Sequence, residues 1–389
     1  MTVNREHLAT KLVRGSGEAA AAAPLTTPIY STTTFVFESA EDVRQYQEGR
    51  SQKYLYSRYE NPTVVEVEAR IAALDSAELG LLFSSGMAAV ATTMMALLKA
   101  GDEVVCSAGI YGGTAHFLQD LLSNFSVTTR FVTLEELRDS GRLVGPRTRI
   151  VWFESPINPT LRCVDVTSIA QACERANVLS VIDNTFATAV NQQPLARGVT
   201  LVMQSATKYL NGHSDVTGGA VTGGRTLVER ISKARRLLGT VMDPAAAYNL
   251  GRGLKTLLVR MDRHNASALT LARALEQDGR IARVCYPGLE SHPDHRLAKA
   301  QMNGFSGMVA IDLETYEGAS RVFDRLRVIR RAASLGGVES LASLPVLTSH
   351  WGHSHEQLAA AGISPGLIRI SVGLEDVGDL IEDVKQALG

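Results

Sequence analysis

The sequence has little that would mark a specialised class of protein. Its 389 residues carry 39 basic against 40 acidic side chains, a net charge of −1. Without a basic excess there is no electrostatic reason to expect nucleic acid or an anionic membrane as a partner, since both reward a positive surface. The four cysteines, Cys106, Cys163, Cys173 and Cys285, show no CxxC pairing. That pattern argues against a disulfide framework or a zinc site and fits a reduced, cytoplasmic location. Repeats, low-complexity tracts and charge blocks are absent. With 45% hydrophobic and 20% charged residues, the composition excludes disordered and collagen-like chains.

Long apolar runs are nearly absent as well. The N-terminal stretch carries Arg5, Glu6, Lys11, Arg14 and Glu18, and its apolar part is only Ala19 to Ala23, too short for a secretory signal. Residues 79–98 are uncharged and about long enough to cross a bilayer. Ser84, Ser85 and Gly86 interrupt them, however, so the span reads as a buried strand, a small-residue turn and a buried helix starting near Gly86.

What is present is an alternation of short apolar runs and helical patterns. Strands are predicted over 79–83, 103–106, 127–132, 149–153, 178–183, 201–204 and 219–222. Asn61-Pro62 supplies an N-cap and a first-turn proline, followed by the apolar face Val64, Val67, Ile71 and Leu74. Strands without strict alternation, separated by helices, predict a parallel sheet covered on both faces. A long helical pattern begins around 243–263, and a second α/β set follows, with strands over 284–286, 308–312, 328–334 and 367–372. A boundary is expected near 250.

Ligands of open parallel sheets sit beyond the carboxyl ends of the strands, and three such ends hold informative residues. Ser84-Ser85-Gly86-Met87 is either a plain tight turn or a helix N-terminus that binds phosphate through free N–H groups. Asp183 is a helix cap, a metal ligand or the partner of a cationic heterocycle. After Gln204 come Ser205-Ala206-Thr207-Lys208. In extended chain the two hydroxyls share a face and reach one phosphate while the lysine points elsewhere; the bland alternative for Lys208 is a surface ion pair. Together these residues point to pyridoxal phosphate. Lys208 would form a Schiff base with the aldehyde, and Asp183 would keep the ring nitrogen protonated.

The run Ser205-Ala206-Thr207-Lys208-Tyr209-Leu210-Asn211-Gly212-His213-Ser214-Asp215 resembles the signature of the Cys/Met-metabolism family of pyridoxal-phosphate (trans-sulfuration) enzymes. The likeness continues through Tyr56-Ser57-Arg58, Asn61-Pro62-Thr63, Ser85-Gly86-Met87 and Tyr111-Gly112-Gly113-Thr114. It extends to Glu154-Ser155-Pro156 with Asn158-Pro159, Asp183-Asn184-Thr185-Phe186 and Ser334-Leu335-Gly336-Gly337. The runs Leu161-Arg162-Cys163-Val164-Asp165, Tyr286-Pro287-Gly288 and Ser291-His292-Pro293 are similar to plant-type cystathionine γ-synthases.

The resemblance implies an α/β, fold-type I pyridoxal-phosphate-dependent transferase-like architecture. Residues 1–55 would form an N-terminal arm serving a neighbouring subunit, 56–250 a mostly parallel-sheet cofactor domain, and 251–389 a smaller C-terminal domain. It assigns Lys208 as Schiff-base lysine and proton shuttle, Tyr111 to stacking on the ring and proton transfer, and Asp183 to the ring nitrogen. Gly86, Met87, Ser205 and Thr207 would hold the phosphate, joined by Tyr56 and Arg58 from a neighbour in a homotetramer. Arg369 would clamp the substrate carboxylate with Asn158 and Ser334. An arginine among Leu367, Ile368, Ile370 and Val372 needs a partner in any case: a structural salt bridge, or a bidentate carboxylate.

Two departures stand out. Glu60 replaces the glycine many relatives carry before Asn-Pro, which leaves the backbone and charge near the phosphate open. Gly113 stands where typical methionine γ-lyases have cysteine, which argues against that branch, while Glu339 matches the cystathionine-handling members. On the plant-type runs the expected reaction is γ-replacement on an activated homoserine ester by cysteine, giving cystathionine; the alternative is γ-elimination of cystathionine or methionine to 2-oxobutanoate and ammonia. No metal is expected. His350, His353 and His355 cluster around Trp351 but lack carboxylate or cysteine company, and His292 and His295 sit in a Ser-His-Pro loop. A nicotinamide dehydrogenase would need a GxGxxG turn that 84–89 does not supply. A catalytically dead binding protein should have lost Lys208, Asp183 or Arg369.

Overall fold

A computed structural model describes residues 7–14, 24–139, 141 and 143–389. Arg5, Glu6, Glu18 and the alanine run at 19–23 lie outside the described residues, as does the side chain of His355. The chain builds two sheets. The first comprises β1 (Leu79–Phe83), β2 (Glu103–Ser107), β3 (Thr128–Val132), β4 (Thr148–Glu154), β5 (Leu179–Asp183), β6 (Leu201–Gln204) and β7 (Gly219–Gly223), in the order β1-β7-β6-β5-β4-β2-β3. Ile150, Val151, Trp152 and Phe153 are all fully buried. Both faces of β4, an interior strand, are covered, which is why these strands read as continuous apolar runs. Each such side chain adds roughly 1.5–3 kcal/mol of burial.

The sheet is not all parallel. β2, β3, β4, β5 and β6 run parallel, whereas β7 pairs antiparallel with both β6 and β1. A parallel return needs a crossover, usually a helix. The segment 205–218 contains only turns and bends, so β7 reverses. The same segment carries Lys208.

The helices follow their caps. Asn61 caps helix Pro62–Leu74 by accepting from Thr63 N–H, and Ser85 caps helix Gly86–Leu97 by accepting from Ala88 N–H. Residues 79–98 are thus a strand and a twelve-residue helix, and among the described residues no helix is long and apolar enough to cross a membrane. The helical pattern at 243–263 divides into Pro244–Leu254 and Leu257–Glu276.

The second sheet contains β8 (Arg283–Cys285), β9 (Met308–Asp312), β10 (Arg330–Arg331), β11 (Leu341–Ser343) and β12 (Leu367–Ser371), ordered β10-β11-β12-β9-β8. The expected strand at 328–334 shrinks to two residues, and β11 was not anticipated, because three residues are too few to show a period. β12 pairs antiparallel with β9 and β11. That central position holds Arg369 rigidly.

Candidate active site

Strand ends from the first sheet meet the central strand of the second around a cavity of about 480 Å³. β4 delivers Glu154 and β5 delivers Asp183, residues paired in register on neighbouring strands. The turn after β6 brings Ser205, Thr207 and Lys208. Gly86 and Met87 enter from the helix after β1, Tyr111 from the loop after β2, Asn158 from the loop after β4, and Arg369 from β12. All line one space.

At one end, Gly86 and Met87 open their helix, so their N–H groups have no acceptor within it. A Cβ on Gly86 would come within 3.1 Å of Ser205 Oγ, so only glycine lets the backbone approach that hydroxyl freely. The helix dipole and the Ser205 hydroxyl make an anion cradle. Ser205 and Thr207 reach it differently from expectation. Residues 206–210 form a turn rather than extended chain, with Lys208 N–H donating to Ser205 O at 3.2 Å. Thr207 Oγ1 accepts from Gly218 N–H at 2.9 Å. The turn, not strand alternation, brings Ser205, Thr207 and Lys208 to one cavity, and the Thr207 hydroxyl also donates to Gly218 O at 3.2 Å.

Asp183 is not a helix cap. Its Oδ1 accepts from Thr185 N–H at 3.0 Å and from Thr185 Oγ1 at 2.5 Å, and Thr185 Oγ1 in turn accepts from Ser205 N–H at 2.8 Å. Burial raises the Asp183 pKa, opposed by these bonds and by Lys208. A protonated ring nitrogen placed against this carboxylate would supply the cation that burial demands.

Lys208 Nζ donates to Ser334 Oγ at 3.1 Å. Burial first and the Arg369 charge second pull its pKa down to about 8, against the pull of Asp183. The amine is therefore poised for nucleophilic and base chemistry near neutrality. It is not in a surface ion pair.

Arg369 is 7% exposed. One guanidinium nitrogen donates to Asn158 Oδ1 at 2.8 Å and the other to Ser334 O at 3.3 Å, while its buried Nε has no partner. Burial lowers its pKa to about 10. Among the described residues no acidic side chain forms an ion pair with it. A fork held by neutral groups, with an unfilled donor, fits a carboxylate ligand.

Three expected residues lie elsewhere. Tyr56 and Arg58 border a shallow pocket with Thr32, Met242 and Asp243 rather than this chain's cavity. Arg58 donates to Arg236 O at 2.6 Å and sits 5.0 Å from the Tyr59 ring centroid. Glu60 pairs with Arg236 of helix Arg225–Leu238 at 2.5 Å, so its charge is spent on that helix. Glu339 bonds Ser214 in an adjoining polar basin whose lining shares only Thr207 and Thr217 with the 480 Å³ cavity. Glu154 and Thr185 stand within the sequence motifs without a role expected of them, and both line the cavity. No cluster of three or more histidine, cysteine, aspartate or glutamate side chains able to hold a metal occurs among the described residues.

A family model described as Cys/Met metabolism PLP-dependent enzyme matches residues 9–389. An L-methionine γ-lyase of Pseudomonas putida is 42% identical over 94% of this chain and 92% of the relative. A cystathionine γ-lyase of Rattus norvegicus is 43% identical over 93% and 89%. A chloroplastic cystathionine γ-synthase of Nicotiana tabacum is 38% identical over 94% of this chain and 68% of its own. A crystal structure of metB from Corynebacterium glutamicum superposes with a TM-score of 0.91 at 36% identity, covering 99% and 98% of the two chains.

Proposed function

The chain belongs to the Cys/Met metabolism family of pyridoxal-phosphate-dependent enzymes, and from that premise we propose that it is a γ-lyase acting on sulfur amino acids, cystathionine foremost. Its fold is that of the fold-type I pyridoxal-phosphate enzymes, and pyridoxal phosphate is its cofactor. Identities of 42% and 43% to γ-lyases against 38% to a plant γ-synthase favour elimination. That reverses the preference drawn from the short plant-like runs, which cover few residues of a long likeness.

Cystathionine is preferred over methionine on one observation. A Cβ at Gly113 would lie 2.6 Å from Tyr111 Cε1 and 3.2 Å from Met87 Sδ. The Tyr111 ring thus occupies the space that a cysteine at this position would need. Glu339 and Ser214, in the adjoining basin, offer polar groups to the far amino-acid half of a long substrate.

Pyridoxal phosphate, joined through its aldehyde, supplies an electron sink for charge left at the substrate's α-carbon. The residues divide the rest. Gly86 and Met87 N–H groups and the Ser205 and Thr207 hydroxyls hold the phosphate, completed by Tyr56 and Arg58 of a neighbouring chain in a homo-oligomer. Asp183 holds the ring nitrogen and Tyr111 covers the ring face. Arg369, with Asn158 and Ser334, clamps the α-carboxylate. Lys208 Nζ would take the α-proton, pass it on to the cofactor and so become a free base again, then take a β-proton and hand it to the sulfur as the Cγ–S bond breaks. Cystathionine and one water become cysteine, 2-oxobutanoate and ammonia. Residues 56–250 are assigned as the cofactor domain and 251–389 as the domain that contributes Arg369.

The test offers cystathionine or methionine alone, and separately an O-acylated homoserine with cysteine. The expected result is 2-oxobutanoate from cystathionine, faster than from methionine. Cystathionine formed from the ester, without 2-oxobutanoate from either thioether, would restore the synthase reading.

A further inference from the structure

We infer that Glu154 is a positioning residue that locks the ring-covering Tyr111 and the carboxylate-binding Asn158 into one geometry. The residue ends β4 and is 5% exposed. Both of its oxygens are engaged, each by a different segment. Oε1 accepts from Tyr111 N–H at 2.9 Å, at the start of helix Gly112–His116. Oε2 accepts from Asn158 N–H at 3.3 Å, in the loop beyond β4. Asn158 Oδ1 then receives Arg369, whose other nitrogen reaches Ser334 O, and Ser334 Oγ receives Lys208. One carboxyl group therefore stands in an unbroken hydrogen-bonded line from Tyr111 to Lys208.

The choice of residue is informative. Glu154 sits beside Asp183 in register, and burial together with that neighbour raises its pKa to about 8, against the two N–H bonds and Arg369. A second acid in such a place is unfavourable. Once ionised, above that pKa, glutamate offers something its amide cannot: two acceptor oxygens on one planar group, at the reach these two N–H groups require. Glutamine would satisfy one amide and turn its own N–H groups toward the other.

The inference does not depend on which γ-reaction follows, because its probe has no γ-carbon. Glycine is titrated into the holoenzyme, and binding is followed by the change in the cofactor's visible absorption. For Glu154→Gln the expected result is at least tenfold weaker glycine binding and an altered visible circular dichroism of the bound cofactor, with one cofactor retained per chain. When Asn158→Ala is already present, adding Glu154→Gln should weaken glycine less than threefold further. Unchanged glycine affinity and dichroism in Glu154→Gln would overturn the inference, as would losses that simply multiply in the double variant. Should Glu154→Gln fail to fold, Glu154→Asp keeps both oxygens but withdraws them by one methylene. The same weakening of glycine is then expected, and wild-type affinity overturns the inference.

Discussion

Arg369 donates to Asn158 Oδ1 at 2.8 Å across 211 positions of sequence, joining the central strand of the second sheet to a loop of the first. Neutral groups hold the guanidinium, and its Nε remains unfilled. The two planar N–H faces are the resource a carboxylate uses, so removing the fork should damage binding more than it damages chemistry.

Arg369→Lys retains the charge but replaces the fork with a point donor. A charged hydrogen bond contributes about 1.5–3 kcal/mol, so the KM for cystathionine should rise roughly ten- to a hundredfold with a smaller change in kcat. Steady-state kinetics decide the matter. An unchanged KM would show that the carboxylate binds elsewhere.

Lys208 has its pKa lowered to about 8 by burial and by Arg369. Only the neutral amine attacks an aldehyde, so the rate at which the cofactor-free chain takes up pyridoxal phosphate should climb as pH rises through about 8 and then level off. Stopped-flow absorption at the cofactor's visible band measures this. Arg369→Gln removes a repelling charge and should move the midpoint upward. Lys208→Ala should lose the covalent band altogether, and a band that survives would remove Lys208 from the site.

Gly113→Cys tests the basis for substrate choice. The added side chain must displace the Tyr111 ring, since its Cβ alone would sit 2.6 Å from Cε1. The ratio of cystathionine to methionine turnover, read as 2-oxobutanoate release, should fall at least fivefold, or by about 1 kcal/mol. A ratio that holds steady would remove Gly113 as the discriminating position.

These residues were legible in the sequence to very different degrees. Asp183 and Lys208 stood out because a charged residue closes or follows an apolar run, and that local signal survives folding. Extended chain would put Ser205 and Thr207 on one face, a geometry that the turn at 206–210 does not adopt. They reach the cavity because the turn folds them there. Glu154 carried no local signal. At the end of a strand it reads like any solvated acid, and its meaning lies in two N–H groups brought from 43 residues upstream and four downstream. The reversal of β7 was hidden for the opposite reason, since a missing helix between 205 and 218 leaves no mark on a pattern of apolar runs. Tertiary pairing, not propensity, carried that information.

Acid should destabilise the fold through a buried histidine remote from the chemistry. His264 is fully buried, with Nδ1 2.7 Å from Val372 O and its Nε2 without a partner. Burial, aided by the neighbouring Arg260 charge and opposed by the Val372 carbonyl and by Glu375, lowers its pKa from 6.5 to about 4. The folded chain therefore resists taking up a proton that the unfolded chain accepts. The stability tied to His264 is fully present above pH 6.5 and is lost as pH falls from there to about 4, a range worth about 3 kcal/mol. His292 and His350 are lowered similarly, each to about 4, so the three should act in the same window. Denaturant unfolding at pH 7.5 and at pH 5 should show the loss. His264→Gln keeps a donor for the Val372 carbonyl but cannot titrate, so its stability should fall less between pH 7.5 and pH 5 than that of the parent chain. A slope identical to that of the parent chain would mean that His264 takes up its proton alike in the folded and the unfolded chain, its buried ring having found an acceptor for the second N–H.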